Sequence, residues 1–132
     1  MSSVEEVVSQ YYKYLKERDL EGLHSILSPD IVVTYHSQPE QFPWSGQFHG
    51  IQGFDRFFDI IKSHLDVVEV EITASTSGQD RVVNQCRGTW QYKESGYRVT
   101  GSMVNVFTIA DGKISGYDVY ADTAAFAAGY SS

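Results

Sequence analysis

The chain has 132 residues, a formal net charge of −7 at pH 7 and a hydrophobic fraction of 42%, which together predict one acidic domain with a substantial core. The negative charge disfavours nucleic acid and anionic membrane surfaces as partners, because both attract basic proteins. A single cysteine, Cys86, excludes an intrachain disulfide and indicates a reducing compartment. The sequence shows neither a signal-peptide pattern nor an apolar run long enough to cross a bilayer, so we expect a cytoplasmic protein.

The beginning of the sequence predicts two helices. Apolar residues recur every three or four positions across residues 3–17, which is typical of an amphipathic helix. Asp19 can cap a second, shorter helix, and Pro29 would end it. The predicted buried face of this second helix consists of leucines, namely Leu20, Leu23 and Leu27.

A strand, a loop and a third helix are predicted next. The β-branched and aromatic run at 31–35 indicates a strand. Residues 37–50 contain two prolines and two glycines, which favour a loop. That loop also carries Phe42, Trp44 and Phe48, so we expect it to pack over the core. The third helix would bury an aromatic and aliphatic face made of Phe54, Phe57, Phe58, Ile61 and Leu65.

The second half of the sequence predicts antiparallel strands. Apolar residues alternate with polar ones across residues 68–74, which indicates a half-buried strand with Val68, Val70, Ile72 and Ala74 on its buried side. Even positions of the next strand are expected to face inward: Val82, Asn84, Cys86, Gly88, Trp90 and Tyr92. Odd positions of the following strand are expected to do the same: Tyr97, Val99, Gly101, Met103, Asn105, Phe107 and Ile109.

The turn at 110–112 decides which face of the last strand meets the interior. A two-residue Asp-Gly loop would pair Ala110 with Lys113. That register would put Asp118 beside Asn105 on the inner face, because a shift of one residue exchanges the two faces of a strand.

A three-residue loop is the alternative that we favour. It would place Gly112 in a left-handed bulge and pair Ile109 with Lys113. The inner face would then be more apolar, with Tyr117, Val119 and Ala121 pointing inward. Beyond the strand, Asp122 is a suitable cap for a short helix at 123–128.

Three helices followed by long antiparallel strands predict an α+β fold. The helices would cover one face of a curved sheet, which then forms a cone with a mouth and a natural pocket for a small molecule.

Three segments, 12–33, 42–58 and 104–123, resemble the nuclear transport factor 2-like superfamily, and within it the SnoaL-like, ketosteroid-isomerase-related branch. The resemblance spans nearly the whole chain and implies a single SnoaL-like domain over residues 1–132. It also implies a homodimer through the outer sheet face, on which we expect Arg87, Thr89, Gln91, Arg98, Val104 and Val106. An epoxide-hydrolase activity is disfavoured, because Cys86, Gly88 and Val119 occupy the positions where that activity would require an arginine and two aspartates.

The predicted pocket is apolar and aromatic, and its expected lining is Tyr35, Trp44, Phe58, Cys86, Trp90, Met103, Asn105, Tyr117 and Val119. Three residues are candidates for catalysis. Tyr35 could donate its hydroxyl to a carbonyl or oxyanion, and His49 could shuttle protons near the mouth. Asp118 could act as a base if the two-residue loop forms, whereas His36 should face away from Tyr35. Asn105 would be a buried amide that needs a partner, either a ligand or a water.

We therefore expect a protein that binds a small hydrophobic molecule carrying a carbonyl or hydroxyl. One alternative is a cofactor-independent isomerase or polyketide-cyclase-type enzyme that uses general acid/base catalysis. The other is a non-catalytic dimeric interaction module. The histidines are scattered and the glycines form no phosphate-binding loop, so neither a metal nor another cofactor is expected.

Overall fold

The structure is a computed structural model that describes residues 3–130. Its helices are α1 (Val4–Glu17), α2 (Leu20–Ser25), α3 (Gly50–His64) and α4 (Thr123–Gly129). The predicted caps are confirmed: the side chain of Asp19 accepts a hydrogen bond from the backbone N–H of Gly22, and that of Asp122 accepts one from Ala125. No helix among residues 3–130 has both the length and the apolar character needed to cross a membrane.

The second helix is shorter than predicted. It ends at Ser25, and Leu27 already belongs to the first strand, where it pairs with Ile114. Leu27 is buried by this pairing, whereas Leu20 is 57% exposed. The leucine spacing was therefore misleading, because one of the three leucines is buried by the sheet and not by the helix.

Six strands form one curved sheet in the order β2-β1-β6-β5-β4-β3. Neighbouring strands run antiparallel except for β1 and β6, which are parallel. The strands are β1 (Leu27–His36), β2 (Gly46–His49), β3 (Leu65–Ser77), β4 (Arg81–Tyr92), β5 (Arg98–Ala110) and β6 (Lys113–Ala121). The α+β prediction and the cone-like arrangement are confirmed.

The helices pack on one face of the sheet, which we call the inner face. Tyr11 of α1 and Phe54 and Phe57 of α3 are fully buried there against Phe107 and other rings of the sheet. The segment predicted as a loop contains the short edge strand β2, which pairs with β1. The rest of that segment packs over the core as expected, with Phe42 and Trp44 buried and stacked at a centroid distance of 4.9 Å.

The last hairpin combines features of both predicted registers. Ala110 pairs with Lys113 across a two-residue Asp-Gly turn, so the prediction of a three-residue loop was wrong. A bulge at Ser115 then shifts the register between Thr108 and Ile109 and exchanges the faces of β6. Tyr117 and Val119 are consequently buried, as the favoured register predicted.

The half-buried character predicted for β3 was also wrong. Every residue of β3 after Leu65 is exposed on both faces of the strand. Helices α1 and α4 lie over other parts of the sheet. Glu5 of α1 accepts a hydrogen bond from the Ser77 hydroxyl at the end of β3, but the apolar side chains of the strand after Leu65 stay exposed. The prediction that Tyr97 faces inward was wrong as well, because this residue lies in the turn before β5 and is 46% exposed.

Candidate ligand-binding site

A row of side chains crosses the inner face in register from β3 to β1. Directly paired residues share a face of a sheet. The pairing therefore aligns Ser75, Asn84, Asn105, Val119 and Tyr35 in one row. Asn84 and Asn105 are each 3% exposed. The row is therefore polar at the β3 end and apolar or aromatic at the β1 end.

Helix α1 places a tyrosine hydroxyl over the polar end of this row. The side-chain amide of Asn84 donates to the Tyr12 hydroxyl at 3.1 Å, and that of Asn105 donates to the same oxygen at 3.3 Å. The Ser75 hydroxyl donates to the side-chain carbonyl oxygen of Asn84 at 2.6 Å. The Asn84 amide thus has a partner at each end.

Two buried side-chain polar atoms have no hydrogen-bond partner within residues 3–130: the carbonyl oxygen of Asn105 in this cluster, and the hydroxyl of Tyr11, whose ring lies 5.1 Å from that of Tyr12. Exchanging the oxygen and nitrogen of the Asn105 amide would leave its nitrogen unpaired instead, so one end of the amide stays free in either orientation. An unpaired buried polar atom costs about 1–3 kcal/mol. A bound molecule that supplies the missing partners would remove this cost.

Burial keeps the tyrosines of the cluster in their neutral, proton-bearing form. It raises the pKa of Tyr11 and of Tyr117. The Tyr117 phenol raises the pKa of Tyr11 further, although the two hydroxyls do not form a hydrogen bond of normal geometry. Burial also raises the pKa of Tyr12, and the hydrogen bonds from Asn84 and Asn105 oppose that shift. All three phenols can therefore donate a proton to an acceptor at neutral pH.

An aromatic shell surrounds the opposite end of the row. The ring of Tyr35 lies 6.1 Å from Phe42, 6.2 Å from Trp44 and 6.3 Å from Phe57, measured between ring centroids. Burial raises the pKa of Tyr35 as well. Tyr117 stacks on Phe58 at 6.3 Å. Most of the residues predicted as pocket lining thus belong to, or pack against, one connected hydrophobic core. The exceptions, Cys86 and Asn105, are buried but lie outside that cluster.

Two surface depressions lie away from this row. One, with a volume of about 650 Å³, is lined by Glu40, Gln41, Phe42, Pro43, Ser45 and Tyr130. The other, of about 260 Å³, lies over the β3–β4 pair around Glu71 and Arg87. Neither is lined by Asn105, which is buried, or by Tyr12, which is half-buried.

The predicted acid/base residues other than Tyr35 lie outside the core. Asp118 is on the outer face, where its carboxylate contacts the His36 ring at 2.8 Å, so its predicted place beside Asn105 in the alternative register was wrong. His36 faces away from Tyr35 as expected and stacks on Tyr120 at 4.0 Å. His49 is exposed at the end of β2. Within residues 3–130 no carboxylate or imidazole is buried, and no three potential metal ligands lie together.

Sequence reasoning missed three members of the polar cluster. The alternation in β4 predicts that Asn84 faces inward, and its pairing with Asn105 is the signal that could identify it. Tyr11 lies on the predicted buried face of the first helix, but nothing in the sequence indicates that its hydroxyl is unpaired. Tyr12 is one position off that face, and only the crossing of α1 over β4 and β5 brings it to the two amides.

The fold and the enclosed aromatic core match a known class of small α+β proteins. The family model for the SnoaL-like domain matches residues 8–117, so the chain belongs to the SnoaL-like family. This confirms the resemblance found in the sequence. No curated protein matches the chain significantly in sequence.

Solved structures with the same fold include several bacterial proteins. An NTF2-like protein from Burkholderia thailandensis is 20% identical with a TM-score of 0.87, and the match covers 100% of both chains. A Catenulispora acidiphila protein with a ketosteroid isomerase-like fold is 13% identical with a TM-score of 0.70, covering 90% of this chain and 86% of that one. TerC, co-crystallised with polyporic acid, is 25% identical with a TM-score of 0.79, covering 94% of this chain and 95% of TerC.

Proposed function

We propose that the protein binds a small hydrophobic molecule that carries a carbonyl or hydroxyl group. The polar group of this ligand would meet the cluster of Tyr11, Tyr12, Asn84 and Asn105, and its apolar part would contact the surrounding aromatic side chains. The observation that carries the proposal is that two buried polar atoms, the Tyr11 hydroxyl and the Asn105 side-chain carbonyl oxygen, lack hydrogen-bond partners within residues 3–130 in a largely apolar interior.

The chemistry of the two atoms defines the expected polar group. The Tyr11 hydroxyl is a donor for a ligand carbonyl, and the Asn105 carbonyl is an acceptor for a ligand hydroxyl. Both atoms lie in an apolar environment, where an unpaired polar group is costly and a satisfied one gives specificity. Because the enclosed site must open to admit a ligand, side chains of the core would have to move on binding.

The likeness to TerC supports a ligand-binding role, because TerC was co-crystallised with an organic acid, polyporic acid. This compound is therefore a reasonable first probe. The other structures described above are less similar in sequence and support only the fold.

The enzymatic alternative is a cofactor-independent isomerase or polyketide-cyclase-type enzyme. A tyrosine acid such as Tyr35 or Tyr12 is available for it in the core. The base is the weaker part of this alternative, since Asp118 and His49 are both directed away from the core. We therefore favour binding over general acid/base catalysis.

Isothermal titration calorimetry with polyporic acid tests the proposal. We expect saturable binding to the wild type and a loss of about tenfold to a hundredfold in affinity for Asn105→Leu, which corresponds to one buried hydrogen bond. Asp118→Asn on the outer face is the matched control and should bind like the wild type. Mass spectrometry of the recovered compound distinguishes the alternatives, because binding alone returns it unchanged and an enzyme returns an isomer or cyclised product. A wild type and Asn105→Leu with equal affinity would refute the site.

A non-catalytic dimeric interaction module is the remaining alternative, and dimerisation is also compatible with ligand binding. The outer sheet face carries Val104 and Val106, and no helix within residues 3–130 packs on it. We propose that two copies pair through this face, since symmetric dimers are the commonest oligomers.

A further inference from the structure

Three apolar side chains of β3 are exposed on the inner face of the sheet. Val67, Val70 and Ile72 pair in register with Trp90, Gly88 and Cys86 of β4, all of which are buried on the inner face. The three β3 side chains therefore point to the same side, yet they are 61%, 43% and 45% exposed, respectively. We call them the β3 strip. An exposed apolar strip of this kind indicates a surface that contacts something apolar.

Gly88 brings the strip close to the buried aromatic side chains. A methyl group added at Gly88 would lie 3.0 Å from Cγ2 of Val70 and 2.9 Å from the Trp90 ring. Val70 and Trp90 therefore meet over the glycine on the inner face. Because Gly88 has no side chain, Val70 of the strip and the Trp90 ring form a continuous apolar surface across this position.

The strip is also continuous with the polar cluster. The row formed by Ile72, Cys86 and Met103 lies directly beside the row formed by Ser75, Asn84 and Asn105. Asn105 and the strip are two strands apart, which corresponds to about 10 Å. Met103 is half-buried between them and packs against the core. One inner-face surface thus runs from the unpaired atom of Asn105 to the open edge of the sheet.

We propose that the ligand is an elongated amphiphile, with its carbonyl or hydroxyl at Asn105 and Tyr11 and an apolar tail that runs over Met103 to the β3 strip. This inference rests on the proposed function and specifies the class of ligand. It explains why the polar end of the site is enclosed while the apolar end is open to solvent.

A second copy of the chain fits the strip less well than a ligand tail. Glu69 and Glu71 alternate with the strip residues along the same edge strand. Antiparallel pairing of two β3 edges would bring these carboxylates of the two copies close together, and like charges on neighbouring strands are destabilising. The bulges at Val68 and Thr73 further disrupt a flat edge for pairing. An uncharged apolar tail has neither problem.

Methyl ketones of increasing chain length, from hexanone to dodecanone, test this inference in calorimetric titrations. We expect the wild type to bind about fourfold more tightly for each added methylene that reaches the strip. The double substitution Val70→Asn with Ile72→Asn should remove this gain for the long ketones and leave hexanone unaffected. Thr76→Asn is the matched control, because it places asparagine at an exposed β-branched position on the outer face of the same strand.

The outcomes separate this inference from the proposed function. A gain with chain length that survives the double substitution would overturn the inference while leaving the function intact. Binding of all ketones with no dependence on length would do the same. If no ketone and no polyporic acid binds, the proposed function fails and the inference fails with it. Light scattering on the same variants tests whether a second copy of the chain occupies the strip. A loss of dimer with unchanged ketone affinity would assign the strip to a subunit interface and overturn the inference.

Discussion

Replacing Asn105 with leucine should make the ligand-free protein more stable, although the substitution removes a hydrogen bond. The unpaired carbonyl of Asn105 costs about 1–3 kcal/mol, and Asn105→Leu removes that cost. The lost hydrogen bond to Tyr12 is long, at 3.3 Å, and contributes about 0.5–1.5 kcal/mol. The balance is a gain of about 1 kcal/mol. A residue that destabilises the free protein and is needed for binding is what we expect at a functional site.

Asn84 provides a matched control, since it is paired with Asn105 in the sheet, is equally buried and carries the same side chain. Both ends of its amide already have partners, so Asn84→Leu loses two hydrogen bonds and relieves no unpaired atom. We expect this variant to lose about 1–3 kcal/mol. The two substitutions therefore have opposite predicted signs.

Calorimetric unfolding of the two ligand-free variants checks this prediction. A gain of about 1 kcal/mol should raise the Tm of Asn105→Leu by about 3–5 °C for a domain of this size, and the Tm of Asn84→Leu should fall. If both variants lose stability equally, the carbonyl of Asn105 is already satisfied in the free protein, for example by a water. The reasoning that reserves this atom for a ligand would then be refuted.

Three further predictions concern burial, packing and assembly. Because burial raises the pKa of Tyr117, the folded protein holds this proton more tightly than the unfolded chain; the stabilisation is complete below about pH 10 and is lost as the pH rises above that value. The free energy of unfolding, measured in urea between pH 8 and 11, should therefore fall less steeply for Tyr117→Phe than for the wild type, and the difference should reach about 1.4 kcal/mol at pH 11. Tyr97→Phe, at an exposed ring, should follow the wild type. Gly88→Ala should lower the free energy of unfolding, measured by chemical denaturation, by about 1–3 kcal/mol, because its methyl group would lie 2.7 Å from the Glu69 carbonyl oxygen. A methyl group at Gly78 meets nothing within 4 Å, so Gly78→Ala should leave the stability unchanged. Val106→Asp on the outer face should convert the proposed dimer to a monomer by light scattering. Gln52→Asp, at an exposed position of α3 on the opposite side of the sheet, should leave the dimer unaffected. A dimer that persists in Val106→Asp would exclude this face.

The sequence predicted most of the secondary structure because its signals are local. Helix α1 is amphipathic with a period close to that of the α-helix, and Asp19 and Asp122 cap their helices through contacts only three residues away. The alternation in β4 correctly gave its inner face, because each residue of a regular strand has a fixed side. The match to the SnoaL-like family likewise follows from patterns spread along residues 8–117.

The sequence-based predictions were wrong where the burial of a residue depends on elements that are distant in the chain. The alternating pattern of β3 is a valid strand signal, but whether its apolar side is covered depends on where the helices pack, and they leave β3 uncovered. Leu27 has helical spacing from Leu23, yet it belongs to β1, where it pairs with Ile114 of β6. The turn at 110–112 was ambiguous for a related reason, since the bulge at Ser115 that restores the apolar inner face leaves no distinct mark in the local sequence.

The sequence by itself determined the fold class, the family and the apolar character of the core, because composition and periodicity specify which surfaces must be buried. Only the tertiary structure decided the site. It brought Tyr12 of α1 to Asn84 and Asn105, residues 72 and 93 positions away, and left the Tyr11 hydroxyl and the Asn105 carbonyl without partners. It also turned Asp118 outward to His36. Hydrogen bonding requires distances and angles between particular atoms, and these arise only from the way a helix crosses a sheet.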